Sequence, residues 1–273
     1  MSAQVREPML QVETLHKVYG SGSTAVEAIG SLDFTIGRGE LVCIVGPSGA
    51  GKTTFLRCVS GLLAPTSGRV VLEGAAVTEP PEGMAVVLQD YGRSLYPWLT
   101  VHDNVELPLK AKGTGKAERT RLVAEALEAV GLAAAHKKYP WQLSGGMQQR
   151  VAIARAIAYQ PHVLIMDEPF AAVDAQTRAD LEDLVRRLWK QLGVTVLFVT
   201  HDIDESVYLG ERVIVLSHAP TFVLEDVAIP LPDERDQLTT RALPEFAELR
   251  TRVYELIQRA KHVNYRTPRG DAG

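Results

Sequence analysis

One glycine-rich segment constrains the fold of this chain more than any other. It has the pattern G-x-x-x-x-G-K-[ST] and consists of Gly46, Pro47, Ser48, Gly49, Ala50, Gly51, Lys52 and Thr53. An apolar run at 41–45 precedes it and a helix-forming stretch at 54–59 follows it. Glycines let successive N–H groups curl around an anion, and the helix N-terminus adds its positive dipole end. The segment therefore predicts a strand, a phosphate-binding loop and a helix.

Two residues of this loop have predicted roles toward a nucleoside triphosphate. The Lys52 ammonium is expected to contact the β- and γ-phosphates, and the Thr53 hydroxyl is expected to bind a Mg²⁺ ion. A purely structural turn is the alternative interpretation. The strand and helix on either side favour the phosphate loop.

The overall charge argues against nucleic acid as a partner. The 273 residues include 29 Lys and Arg against 33 Asp and Glu, a formal charge of −4, so no basic footprint is indicated. The two cysteines, Cys43 and Cys58, lie among apolar neighbours. They are expected to be buried thiols in a reducing cytosol.

The hydropathy pattern predicts a protein that does not itself enter the membrane. No run of 18 apolar residues occurs, and residues 1–7 lack the apolar core of a signal peptide. We expect a cytoplasmic location, with any membrane role depending on a partner.

The order of elements predicts an α/β fold. Short antiparallel strands are expected at 10–15 and 32–36, helices over 101–160, and a mostly parallel sheet from the alternating strands and helices that follow. A small β-unit at 222–229, a terminal helix near 244–259 and frayed residues from 264 complete the prediction. The expected domains are 8–235, with the helical subdomain inserted, and a C-terminal helical extension at 236–273.

Polar side chains follow three of the predicted strands. Gln89 ends one strand, Asp167 and Glu168 end another, and His201 follows a third. Since parallel strands end at the same sheet edge, these side chains are expected beside the phosphate loop. Asp167 and Gln89 are predicted to help hold Mg²⁺, Glu168 to act as general base and His201 to orient the attacking water.

Three further features have both a functional and a structural interpretation. Ser144, Gly145 and Gly146 precede a helix and suit an anion. Tyr19 can stack on a base or remain a half-buried strand-end tyrosine. The aromatic loop at 91–100 is either a docking surface for a protein or the cover of a small core.

These motifs together resemble the ATP-binding cassette (ABC) ATPases. The phosphate loop, Gln89, the Leu-Ser-Gly-Gly element at 143–146, the strand ending at Glu168, Asp174 and the Thr-His-Asp segment at 200–202 occur in that family's order and spacing. The resemblance covers about residues 8–260. The Leu-Ser-Gly-Gly element is the most discriminating part, because other P-loop families lack it.

The resemblance implies a P-loop NTPase core and a head-to-tail dimer that encloses two ATP molecules. Ser144, Gly145 and Gly146 would close on the γ-phosphate held by the second copy. Residues implied to contact ATP are Tyr19, Gly46, Pro47, Ser48, Gly49, Ala50, Gly51, Lys52, Thr53, Thr54 and Asp174.

The resemblance also implies partners and a branch of the family. The loop at 91–101 would dock a membrane-spanning permease subunit on the cytoplasmic face of the cell membrane, and an extracytoplasmic solute-binding protein would act indirectly. The stretches 89–105 and 200–205 resemble the importers of nitrate, sulfonate or taurine. Two alternatives remain: an ATPase for lipid or lipoprotein transport, and a non-transport ABC ATPase of DNA repair or translation.

Overall fold

A computed structural model describes residues 6–89 and 94–263. The chain forms two compact units, Met1–Pro81 with Val199–Gly273, and Glu82–Phe198. Predictions made for residues 90–93 of the aromatic loop, and for fraying from residue 264, lie outside the described residues.

The described strands and helices follow the predicted alternation of an α/β fold. The strands are β1 (Pro8–Tyr19), β2 (Val26–Gly37), β3 (Leu41–Val45), β4 (Ser67–Leu72), β5 (Ala75–Ala76), β6 (Met84–Val87), β7 (Val163–Asp167), β8 (Thr195–Val199), β9 (Arg212–Leu216) and β10 (Thr221–Ala228). The α-helices are α1 (Lys52–Val59), α2 (Val101–Ala111), α3 (Lys116–Ala129), α4 (Gly145–Ala158), α5 (Ala175–Leu192), α6 (Ile203–Leu209) and α7 (Pro244–Ala260).

The first unit combines antiparallel and parallel strands in the order β5-β4-β1-β2-β10-β9-β3. β1 pairs antiparallel with β2, as the alternating apolar pattern predicted, and it also pairs antiparallel with β4. β3 pairs parallel with β9, and every residue of β3 is buried. A strand buried on both faces reads as a continuous apolar run, which is the pattern at 41–45.

The β structure predicted at 222–229 is a single strand, β10, which ends at Ala228. It pairs antiparallel with β9 and contacts β2 in parallel register. Asp226 on this strand accepts hydrogen bonds from Arg212 on β9.

The second unit holds the strand order β8-β7-β6 and the helices α2 to α5. β6 pairs parallel with β7. The sequence predicted a fully apolar strand through Leu88, but β6 ends at Val87 and Leu88 is exposed. Within this unit β6 is an edge strand, so only part of its surface is covered by neighbours.

The C-terminal segment packs on α6 within the first unit. Arg235 donates from Nη1 to the carbonyls of Val207, Tyr208 and Gly210 at 3.1, 2.6 and 3.0 Å, which satisfies the open end of that helix. The guanidinium of Arg241 lies 4.9 Å from the centre of the Tyr208 ring. The predicted boundary at residue 236 stays a prediction. Across the described ranges, no helix is both long and apolar enough to cross a bilayer.

Candidate nucleotide site

The glycine-rich segment forms a loop between buried β3 and the first turn of α1. Gly49 and Gly51 have φ angles of 79° and 68°, a conformation that side-chain-bearing residues rarely adopt. Gly51 is the residue before Lys52, at which α1 begins. The loop and the helix start therefore have the form predicted for phosphate binding.

A buried threonine from β10 anchors this loop. The Thr221 hydroxyl donates to the carbonyl of Ala50 at 2.6 Å and lies 3.0 Å from the carbonyl of Ala28. A Cβ added to Gly51 would lie 3.0 Å from both Thr221 Oγ1 and Ala28 O. Thr221 was not identified from the sequence. It is a polar residue at the start of an apolar strand, 171 positions from Ala50 in the sequence, and no local pattern connects the two.

The charged and hydroxyl groups of the loop are partly accessible. Lys52 Nζ donates to the carbonyls of Gly46 and Pro47 at 2.9 and 3.5 Å. The Tyr19 hydroxyl lies 3.2 Å from Thr54 Oγ1, which places the predicted base-stacking residue at the first turn of α1. Thr53 is exposed, so its hydroxyl is reachable by a ligand.

His201 is connected to the strand that leads into the loop. The Thr200 N–H donates to the carbonyl of Ile44 at 3.0 Å, two residues before Gly46. His201 is exposed, and Asp202 then caps α6 by accepting from the Glu205 N–H at 3.1 Å. Within the first unit, the predicted histidine and the phosphate loop are thus anchored to the same strand.

The second unit brings together two of the predicted catalytic groups. Gln89 Nε2 donates to Glu168 Oε2 at 3.2 Å, although the two residues are 79 positions apart. Asp167 is the last residue of β7, and both carboxylates are half-buried. Glu168 has a φ of 42°, in the left-handed region. A non-glycine residue held there costs about 1–3 kcal/mol, and such strain is concentrated at functional sites.

Ser144 precedes α4, and Gly145 and Gly146 are its first two residues, so the helix begins one residue earlier than the sequence suggested. Ser144 is the N-cap, and its hydroxyl accepts from the Met147 N–H at 3.3 Å. Ser144 and Gly145 are exposed, whereas Gly146 is buried. A Cβ on Gly146 would lie 2.3 Å from Thr177 Cγ2, so a larger residue here would force α4 or Thr177 to shift.

Asp174 connects to the same threonine. It caps α5 by accepting from the Thr177 N–H at 3.0 Å and from the Thr177 hydroxyl at 2.7 Å. The backbone hydrogen bond from Thr177, followed by the hydroxyl bond, lowers the pKa of the Asp174 carboxyl. Asp174 and Gly146 therefore meet through one residue, Thr177, within the second unit.

Two aromatic side chains project from the described part of the aromatic loop. Tyr96 and Trp98 are 41% and 70% exposed, and their ring centres are 5.4 Å apart. A satellite core beneath the loop would require these rings to be buried. Their exposure favours the docking interpretation over the covering one.

Comparison with protein families identifies the chain's class. The family model described as "ABC transporter" matches residues 29–171. This chain belongs to the ABC transporter family. As an ABC protein with this site, it is an ATP-binding ATPase, and the predicted P-loop ABC ATPase fold is confirmed.

Two curated relatives and one solved structure illustrate the similarity to other ABC proteins. The nitrate import ATP-binding protein NrtD of Synechocystis is 39% identical over 254 residues, covering 91% of this chain and 95% of the relative. The taurine import ATP-binding protein TauB of Roseobacter denitrificans is 39% identical over 235 residues, covering 85% and 87%. A dimeric ATP-binding cassette in a post-hydrolysis state, bound to ADP and Pi, has a TM-score of 0.71 and 34% identity, covering 81% of this chain and 99% of that one.

Proposed function

We propose that this ABC ATPase energises the import of a small anion such as nitrate, a sulfonate or taurine. The observation that carries the substrate class is the similarity, at 39% identity over most of both chains, to proteins named for nitrate and taurine import. The alternatives considered from the sequence, lipid transport and DNA repair or translation, have no comparable support.

We assign ATP binding to the loop and its neighbours. Backbone N–H groups from Gly46 to Thr54 and the Lys52 ammonium bind the phosphates, and Tyr19 stacks on the adenine. The left-handed glycines and the helix start at Lys52 support this assignment. The other loop N–H groups assigned to the phosphates are those of Ser48, Gly49, Ala50, Gly51 and Thr53, whereas Pro47, which has no N–H, is assigned only a contact with ATP.

Three oxygen donors are assigned to Mg²⁺: the Thr53 hydroxyl, the Gln89 amide oxygen and the Asp167 carboxylate. Hydroxyl, amide and carboxylate oxygens form the hard donor set that Mg²⁺ prefers, so the residue types fit the ion. Gln89 donates its hydrogen bond to Glu168 from Nε2, which leaves Oε1 as an acceptor atom. When bound, the ion supplies charge stabilisation to the phosphates.

Hydrolysis is assigned to Glu168, His201 and Gln89. The Glu168 carboxylate accepts the proton of the attacking water, His201 orients that water toward the γ-phosphate, and Gln89 positions Glu168 through their hydrogen bond. The strained backbone at Glu168 supports a functional role for this carboxylate.

Two copies of the chain are proposed to share each nucleotide. Ser144, Gly145 and Gly146 of one copy, with Asp174 nearby, contact the ATP bound by the other. The exposed N-cap Ser144 at the start of α4 suits a phosphate, and a related cassette forms a dimer bound to ADP and Pi.

The proposed assembly lies on the cytoplasmic face of the cell membrane. The surface at 91–101, described from residue 94, docks a membrane-spanning permease subunit, and an extracytoplasmic solute-binding protein delivers the solute. The exposed Tyr96 and Trp98 support a docking role, since aromatic residues are enriched at protein interfaces. No nucleic-acid partner is expected.

The function can be tested in cells that lack this chain. Uptake of labelled nitrate, taurine and an alkanesulfonate is measured, and the chain is pulled from detergent-solubilised membranes. We expect loss of uptake of one of these solutes and recovery of hydrophobic subunits. Normal uptake of all three solutes, or recovery of ribosomes or DNA without a membrane subunit, would reject the proposal.

A further inference from the structure

A half-buried arginine on α4 holds Ser94, the first described residue of the aromatic loop. Arg155 donates from Nη1 to the carbonyl of Ser94 at 2.6 Å and from Nη2 to the Ser94 hydroxyl at 3.1 Å. Burial lowers the pKa of this guanidinium. The rigid fork of arginine fixes both the backbone and the side chain of Ser94, which a flexible ammonium cannot do.

A buried asparagine holds the rest of the same loop. Asn104 is 0% exposed; its Oδ1 accepts from the Tyr96 N–H at 2.8 Å, and its Nδ2 lies within 3.1 Å of the carbonyls of Tyr96, Leu99 and Thr100. The segment 94–100 is thus fixed at its start by Arg155 and along its length by Asn104. The exposed Tyr96 and Trp98 lie on this segment, whose first described residue contacts Arg155.

The helix that carries Arg155 begins at the serine assigned to the partner's nucleotide. Ser144 and Arg155 lie eleven positions apart on one continuous helix, a rise of about 16 Å at 1.5 Å per residue. An α-helix moves as a rigid element over this length. The helix thus joins the Arg155–Ser94 contact to the Ser144 end of α4.

We propose that Arg155 is a positioning residue that couples the exposed Tyr96 and Trp98 surface to the helix start at Ser144. This inference rests on the proposed function, because that function assigns nucleotide to Ser144 and a permease to the aromatic loop. The coupling is reciprocal: closure on nucleotide moves the aromatic surface, and a load on that surface changes closure.

The isolated full-length chain allows a direct test through tryptophan fluorescence. A parent variant with Trp141→Phe and Trp189→Phe keeps Trp98 as its only tryptophan, since the chain has three. Addition of Mg²⁺ and a non-hydrolysable ATP analogue is expected to change Trp98 emission in the parent. Arg155→Gln is expected to reduce this change about fivefold while binding of the analogue, measured by equilibrium dialysis, stays within about twofold.

Three further variants separate coupling from general structural damage. Arg155→Lys keeps the charge without the fork and is expected to restore less than half of the response. Arg150→Gln is the matched control, because Arg150 lies on the same helix and donates to a different segment, at the Val130 carbonyl. It is expected to respond like the parent. Ser94→Ala removes only the hydroxyl that accepts from Arg155, and it is expected to weaken the Trp98 response. This variant takes the place of Arg155→Gln if Arg155→Gln does not fold.

The outcomes are distinct. A full Trp98 response in Arg155→Gln, or no response in the parent despite bound nucleotide, overturns the coupling. An equal loss in Arg150→Gln also overturns it, because the effect would then be general. Absence of nucleotide binding in the parent rejects the proposed function instead.

Discussion

Gln89 donates a hydrogen bond to Glu168 at 3.2 Å, and this contact joins the ends of two adjacent parallel strands, β6 and β7. The amide occupies the Oε2 atom of the Glu168 carboxylate. The hydrogen bond also connects Glu168, the assigned base, to Gln89, which precedes the aromatic loop at 91–100 in the sequence. The proposed mechanism depends on the charge of Glu168 at this position.

The change Glu168→Gln tests the base. The neutral amide can still accept from Gln89 but has little affinity for the water's proton, so we expect ATP binding to persist and turnover to fall at least about a hundredfold. Retained ATP without hydrolysis should also favour a stable dimer, seen by size-exclusion chromatography. Glu125→Gln, at an exposed position, is the control and should hydrolyse ATP normally. Near-normal hydrolysis by Glu168→Gln would show that another group is the base.

Thr221→Val tests the anchor of the phosphate loop. Valine has almost the same shape but leaves the Ala50 carbonyl, now 2.6 Å from the Thr221 hydroxyl, without its donor. An unsatisfied buried acceptor costs about 1–3 kcal/mol, so both the free energy of unfolding and nucleotide affinity should fall. Denaturant unfolding and equilibrium dialysis measure the two effects. Thr221→Ser keeps the hydroxyl. If this variant loses as much stability and nucleotide affinity as the valine variant, the lost hydrogen bond is not the cause of these effects.

Gly146→Ala tests the packing between the helix start and α5. The added methyl would lie 2.3 Å from Thr177 Cγ2, so the start of α4 must shift and ATP turnover should fall. Adding Thr177→Ser removes that methyl while retaining the hydroxyl that donates to Asp174. We expect the double variant to recover most of the lost turnover. Thr177→Ser alone serves as the reference, and no recovery in the double variant would mean that the clash is not the cause.

The parts of the site that the sequence predicted were those with local patterns. The loop from Gly46 to Thr53 has fixed spacing, and Gln89 and Glu168 follow apolar strands whose parallel ends must share an edge. Within the second unit their 3.2 Å contact agrees with that expectation. The joint arrangement of the loop with Asp167 and Glu168 remains a prediction, carried by the family resemblance.

The parts that the sequence did not predict depend on long-range packing. Thr221 and Asn104 act through buried hydrogen bonds to backbone carbonyls, and nothing in their flanking residues distinguishes them from other polar side chains. Leu88 was expected in a buried strand because apolar runs do not reveal which strand lies at an edge. No local pattern indicates that Glu225 and Asp226 on β10 form ion pairs with Arg252 and Arg212.

The pH dependence of stability can be examined at Asp103. The Thr100 hydroxyl donates to this carboxylate at 2.6 Å and, with His102 as a smaller cause, lowers the pKa of Asp103 from its ordinary value of 3.8. A pKa that is lower in the folded state stabilises the protein above the ordinary value, and this contribution is lost as the pH falls through the folded pKa. Asp103→Asn should therefore lower the melting temperature at pH 7, and the difference from the unaltered protein should shrink below pH 3.8. A difference that is constant with pH would exclude the charge as its source.

Trp98→Ala tests the docking surface and has a closely matched control. Trp98 and Trp141 are each 70% exposed, so replacing either one should leave folding and nucleotide binding unchanged. Aromatic anchors often contribute 2 kcal/mol or more to an interface, so Trp98→Ala should weaken association with the membrane subunits at least about thirtyfold. Trp141 lies outside the proposed surface at 91–101, so Trp141→Ala should leave association with the membrane subunits unchanged.

The measurement is recovery of the membrane subunits on the immobilised chain, over a range of concentrations in detergent. Equal loss in both tryptophan variants would extend the docking surface to Tyr139 and Trp141, whose rings are stacked 5.9 Å apart. Loss with Trp141→Ala alone would move the surface away from Tyr96 and Trp98 altogether. Unchanged recovery with Trp98→Ala would separate the aromatic loop from permease binding, because an exposed ring that anchors a partner cannot be removed without a change in affinity.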